Sequence, residues 1–155
     1  MVDLSDLLRP EAVFTGVAAV SRKALLQQLG QLAAPLIGVD PRAVTDSLAE
    51  RERLGSTGFG GGVALPHARL DALQTPVGLF ARLAHPIDFD AVDDGPVDLV
   101  FALFSPSPGG AEHLKALARV SRRLRDRAFL AKLRGAGSPD ALYALFAAGE
   151  TRDAA

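Results

Sequence analysis

A histidine delivered by a proline at the end of a glycine-rich segment is the strongest chemical signal in this chain. Gly55, Gly58, Gly60, Gly61 and Gly62 lead into Val63-Ala64-Leu65-Pro66-His67. Glycines at this density bring no side chains to a core and cost backbone entropy. They mark a loop whose backbone takes positive φ or approaches something closely. Pro66 fixes its own φ and pushes Leu65 towards an extended conformation, so the imidazole of His67 leaves the segment in a constrained direction. Such a site suits phosphate: backbone amides, those of Gly60 and Gly61 foremost, donate to the anion while an imidazole nitrogen attacks or holds it. With an unperturbed pKa of about 6.5, a neutral imidazole keeps an unshared electron pair near neutral pH and needs no separate general base.

Other residues could serve the same site, each with a plainer explanation beside it. Arg51 falls in the last turn of an expected helix, where the dipole alone accounts for a cation, yet its planar donors could counter a phosphoryl charge. Ser56 and Thr57 could donate to a phosphoryl oxygen or merely build the turn. His113 follows Pro108-Gly-Gly-Ala-Glu112 at a helix start. Free amides and the positive helix end favour an anion there; the plainer alternative is a polar helix-start residue without a role. His85, in Ala84-His85-Pro86, has no such company and reads as a turn residue. The basic run Arg119, Arg122, Arg123, Arg125, Arg127, Lys132 and Arg134 belongs to no nucleic-acid module. It is expected to be a solvated helix face or a surface that meets an acidic protein.

Positioning these residues takes alternating helices and strands. A short opening helix is expected over 3–8 and a strand at 12–14. Ser21 can cap a helix running to about Leu36, with Leu25, Leu29, Leu32 and Leu36 on one face. Asp40-Pro41 opens a second helix that ends near Arg53. Extended segments follow at 63–65, 77–83 and 97–104, the last nearly all apolar, as suits a strand buried on both faces. Ser105-Pro-Ser-Pro-Gly-Gly breaks the chain before helices at 112–125, 127–134 and 139–148. The interleaving predicts an α/β fold, a single-domain layered sandwich with a mixed central β-sheet flanked by helices. The domain is expected over 1–149, with 150–155 as a flexible tail.

Composition narrows the classes further. The chain has 155 residues, 48% hydrophobic, with a formal net charge of −1 and no cysteine. Those values suit one domain and give no global reason to bind nucleic acid or membrane. The start lacks the basic and apolar regions of a signal peptide, and the longest strongly apolar run, Leu99 to Phe104, is far short of a membrane span. A cytoplasmic protein is expected. There is no Gly-x4-Gly-Lys-Ser/Thr, no dinucleotide fingerprint, and no His-Glu-x-x-His or paired-cysteine metal motif.

Taken together, Arg51-Glu52, Leu54 through His67 and His113-Leu-Lys-Ala-Leu-Ala resemble the active-site signature of type-2 IIA domains of the bacterial phosphoenolpyruvate-dependent phosphotransferase system. That family includes fructose, mannitol and nitrogen-regulatory members. The resemblance spans the chain from Leu4-Ser-Asp-Leu-Leu to the last helical segment, with Leu65 where the family often has isoleucine. It implies that His67 accepts a phosphoryl group, that His113 supports it by hydrogen bonding and that Arg51 stabilises its charge. The donor it implies is a small histidine-containing phosphocarrier protein; the receivers are a IIB domain or regulatory and transport proteins. It implies no cofactor and no metal. The lack of a fused permease or IIB segment favours the nitrogen-regulatory subtype over a free-standing fructose- or mannitol-type component. Two readings of a different class stand beside it: a metal hydrolase using His67, His113 and Glu112, and a regulatory binding module whose site stays unphosphorylated.

Overall fold

The computed structural model describes residues 4–107 and 110–148. Its organising element is β6 (Val97–Pro106), a strand whose alternation divides the apolar interior in two. Leu99, Phe101 and Leu103 enter one cluster, while Val100, Ala102 and Phe104 enter the other. A strand apolar on both faces needs cover on both. On one side lie α1 (Arg22–Ile37) and α2 (Pro41–Arg53), contributing Leu25, Leu29, Val44 and Leu48. On the other lie α3 (Gly110–Leu124), α4 (Arg127–Gly135) and α5 (Pro139–Ala148), contributing Val120, Phe129, Leu142 and Phe146. The expected layered sandwich is what forms.

The remaining strands are β1 (Val13–Val17), β2 (Gly58–Gly60), β3 (Val63–Ala64), β4 (His67–Leu70) and β5 (Val77–Ile87). They make one mixed sheet in the order β1-β5-β6-β3-β2, with β4 also on β6. The pairs β1/β5, β3/β6 and β4/β6 are parallel, and β5/β6 and β2/β3 antiparallel. Helix starts follow their caps: Ser21 accepts from the Ala24 amide at 3.1 Å, and Pro41 opens α2.

Several local expectations need correction. Instead of an opening helix, Leu4–Leu8 make one turn, with the Leu7 and Leu8 amides both 2.9 Å from the Leu4 carbonyl. Buried leucines 4, 7 and 8 hold it by packing, so the apolar spacing that suggested a helix is used by the core. His85 lies within β5, exposed, and not in a turn. Strands β2 and β4 were not expected because one is largely glycine and the other carries His67 and Arg69. The tail expected at 150–155 lies outside the described residues.

One arrangement positions the site. β3 and β4 run in line along β6, Val63 opposite Leu99 and His67 opposite Leu103. Pro66, with no N–H to offer, interrupts them, though its carbonyl still accepts from the Leu103 amide at 2.9 Å. Ala68 and Leu70 face the α1–α2 side, and by strand alternation His67 and Arg69 face α3. β2 covers the edge of β3 only; among the described residues no strand pairs with the outer edge of β4.

Candidate active site

That open edge floors a cleft of about 620 Å³ between the end of α2 and the start of α3. Arg51 comes from α2, His67 and Arg69 from β4, and His113, Leu114 and Leu117 from α3. His67 Nδ1 lies 2.9 Å from the Leu65 carbonyl oxygen, and Arg51 Nε donates to His67 Nε2 at 3.1 Å. A guanidinium can only donate, so Nε2 carries the electron pair and Nδ1 carries the proton that it donates to Leu65. Arg51 is steadied by a second bond, from Nη1 to the Gly55 carbonyl at 2.9 Å. Burial holds the His67 pKa below its ordinary value; the Leu65 carbonyl opposes this, and Arg51 and Arg69 lower it further. At neutral pH the ring is uncharged with its electron pair towards the cleft.

His113 is buried, 4% exposed, with its ring centroid 5.5 Å from that of His67. Its Nδ1 sits 2.6 Å from Oγ of Ser105, itself wholly buried at the end of β6. The helix-start address expected for His113 holds, and its ring lies buried between Ser105 at the end of β6 and His67 of β4. Burial first, then the neighbouring His67 and Arg69, push its pKa down to about 4. Arg69, two residues after His67 on the same strand face, is exposed and places its charge near both imidazoles. Glu112 is exposed, and no group of three His, Asp or Glu among the described residues could hold a metal ion. The metal-hydrolase alternative is left without a ligand set among those residues.

The other expected phosphate ligands are engaged elsewhere. Ser56 Oγ donates to the Phe89 carbonyl at 2.7 Å and accepts from the Gly58 amide at 3.1 Å. The Thr57 amide donates to Glu52 Oε1 at 3.1 Å, and its hydroxyl bonds Glu52 Oε2. Thr57 does line a second hollow of about 300 Å³, which shares Arg51, His67 and Leu117 with the main cleft. The structure does not bring Gly60 and Gly61, expected to cradle phosphate, to the hollows around His67. The Gly61 amide instead donates to Asp93 Oδ2 at 3.2 Å, a carboxylate that would repel phosphate. The two glycines serve the β2–β3 turn, where their φ values are +106° and +68°.

The basic run is likewise less uniform than a solvated face. Arg119 pairs with Asp6 and Arg134 with Asp98, while Arg123 is buried, stacks on Phe129 and reaches the Leu145 carbonyl. Glu52 stood only within the family signature and Ser105 only in the expected break at 105–110, with no role read for either from the sequence. The available signals were an acid in the last turn of a helix, where the dipole disfavours it, and a hydroxyl closing an apolar strand.

Residues 6–149 match the family model for the phosphoenolpyruvate-dependent sugar phosphotransferase system, EIIA 2. The chain belongs to this family. A nitrogen regulatory protein of Bradyrhizobium diazoefficiens is 48% identical over 144 residues, which are 93% of this chain and 94% of that protein. The crystal structure of nitrogen regulatory protein IIA-Ntr from Neisseria meningitidis matches with a TM-score of 0.86 at 30% identity, covering 92% of this chain and 98% of that one. The mannitol enzyme IIA of Escherichia coli, solved in complex with phosphorylated mannitol enzyme IIB, shares the fold, with a TM-score of 0.76 at 21% identity over 92% of this chain and 100% of that one. As an EIIA 2 domain the chain is a phosphotransferase-system component, and the nitrogen-regulatory subtype expected from its sequence fits these relatives. No helix among the described residues of this EIIA 2 domain is long and apolar enough to cross a membrane.

Proposed function

We propose that this EIIA 2 domain is a cytoplasmic phosphocarrier that accepts a phosphoryl group on Nε2 of His67 from a small histidine-containing phosphocarrier protein. It passes the group to a IIB-type domain or signals with it to regulatory and transport proteins. The observation that carries this reading is the one-sided imidazole: Nδ1–H is pinned to the Leu65 carbonyl while the electron pair of Nε2 faces the cleft. In the step, the donor's N–P bond breaks and its electron pair returns to the donor imidazole. The electron pair of Nε2 forms the new N–P bond. Nδ1 keeps its proton, and the Leu65 carbonyl faces the positive charge that develops on the ring.

Arg51 releases Nε2 as the bond forms, and its planar donors turn to the phosphoryl oxygens. With the Ser105 hydroxyl donating to Nδ1 of His113, Nε2–H of His113 is free to donate to the same oxygens. A neutral donor suits a carrier, because it steadies the group without the charge that would oppose release. Positioning and charge stabilisation are most of what phosphoryl transfer requires. Leu54 and Leu114, 81% and 63% exposed, flank the cleft as apolar contacts for a docking protein.

His67→Ala should fold normally and take no phosphoryl group from a phosphorylated carrier, and the label on wild type should be acid-labile, as a phosphoramidate is. Acid-stable label, or full labelling of the variant, would overturn the assignment.

A further inference from the structure

We infer that Glu52 is a positioning residue, setting the tautomer of His67 and the place of Arg51 through the turn at 54–57. This rests on His67 being the acceptor. The Glu52 side chain is 3% exposed and lines neither the cleft nor the smaller hollow beside His67. It stands in the last turn of α2, where both burial and the helix dipole disfavour a carboxylate. Only its contacts account for it. Oε1 accepts the Thr57 amide at 3.1 Å, Oε2 bonds the Thr57 hydroxyl, and Arg22 Nη1 of α1 lies 3.7 Å from Oε1.

From Thr57 one route leads to Nδ1 of His67. The Thr57 carbonyl accepts the Leu65 amide at 3.0 Å, and the Leu65 carbonyl accepts His67 Nδ1–H at 2.9 Å. Pro66 offers no amide of its own and its carbonyl is taken by the Leu103 amide of β6, so the Leu65 amide is what ties this segment to the turn. A second route leads to Nε2. Within the same turn the Gly55 carbonyl holds Arg51 Nη1 at 2.9 Å, and Arg51 Nε reaches His67 Nε2 at 3.1 Å. The Gly55 amide is itself on the Glu52 carbonyl at 3.1 Å. Both nitrogens of one imidazole are therefore referred to a turn that one buried carboxyl clamps. Misplacing such a constellation by about 1 Å costs on the order of 10²-fold in rate.

The test measures the His67 ring nitrogens by ¹⁵N NMR in wild type, Glu52→Ala and Glu52→Gln, alongside phosphoryl uptake from a phosphorylated carrier protein. Wild type should show one tautomer, with the proton on Nδ1. Glu52→Ala should show mixed tautomers, and uptake at saturating donor should fall on the order of 10–100-fold per folded molecule while half-saturation barely moves. Glu52→Gln, which keeps an acceptor for the Thr57 amide, should recover most of both. If Glu52→Ala does not fold, Thr57→Val removes only the hydroxyl contact and should shift the same signals less. An unchanged tautomer and rate in the folded variant would overturn the inference and leave Glu52 as a stabiliser of the turn. A wild type that takes up no phosphoryl group would defeat the proposed function instead, while the ring-nitrogen measurement would still decide the role of Glu52.

Discussion

The two imidazoles of the cleft are held by opposite kinds of neighbour. His67 Nδ1 faces a backbone carbonyl, which can only accept, whereas His113 Nδ1 faces the Ser105 hydroxyl, which can also give. That difference sends an electron pair towards the cleft from one ring and, with the serine as donor, a proton from the other. His113→Ala should therefore still accept phosphate on His67 but transfer it poorly. Loss of one preorganised donor typically costs on the order of 10²–10³ in rate. Single-turnover transfer from the carrier and onward to a IIB-type acceptor measures this, and rates unchanged from wild type in both directions would reduce His113 to a packing residue.

At the scale of elements, the β2–β3 turn and the β3–β4 junction divide the labour that the glycine-rich segment first suggested was shared. The junction, through Leu65 and Pro66, presents His67; the turn, closed by Asp93, does not reach it. Gly61 has φ of +68° and only Leu130 Cδ1, at 3.8 Å, near where a Cβ would stand. Space is not its constraint; backbone conformation is. Gly61→Val should lose roughly 1–3 kcal/mol of stability from strain, seen as a lower Tm, with phosphoryl uptake per folded molecule unchanged. A disproportionate loss of uptake would return the glycine amides to the phosphoryl site.

Across the whole molecule, the neutral histidines make folding sensitive to acid. The pKa of His113 is about 4 in the fold, against about 6.5 in an unfolded chain, and that of His67 is lowered too. Between those values the unfolded chain binds more protons, so stability is full above about pH 6.5 and falls as pH drops towards 4. Glu52, raised by burial despite Thr57 and Arg22, acts with the opposite sign, binding its proton more readily in the fold. Discounted for the open cleft beside its ring, His113 should account for on the order of 1–2 kcal/mol of acid loss, or roughly 4 °C in Tm. Thermal scans from pH 7 to pH 4 should show this loss in wild type and a flatter profile in His113→Gln. Identical profiles would mean that His113 does not titrate as its burial requires.

Much of this molecule was determined along the chain itself. The unbroken apolar run of β6 called for cover on both faces, Ser21 and Asp40-Pro41 set the starts of α1 and α2, and Pro66 settled how His67 leaves its segment. These are relations between near neighbours, where periodicity, a missing amide or a fixed φ leaves few choices. Tertiary structure decided which group answers which. Arg51 and His67 were both suspected from the sequence, but their contact, and hence the nitrogen that keeps the electron pair, depends on α2 ending beside the open edge of β4. The amide of Gly61 had several possible acceptors, and the strand order delivered Asp93 to it before any phosphate could be considered. Ser105 became a partner of His113 only because β6 ends beneath the start of α3. Hydrogen-bond groups are satisfied by whatever the fold brings within about 3 Å, and that proximity is a property of strand order and register, not of spacing along the chain.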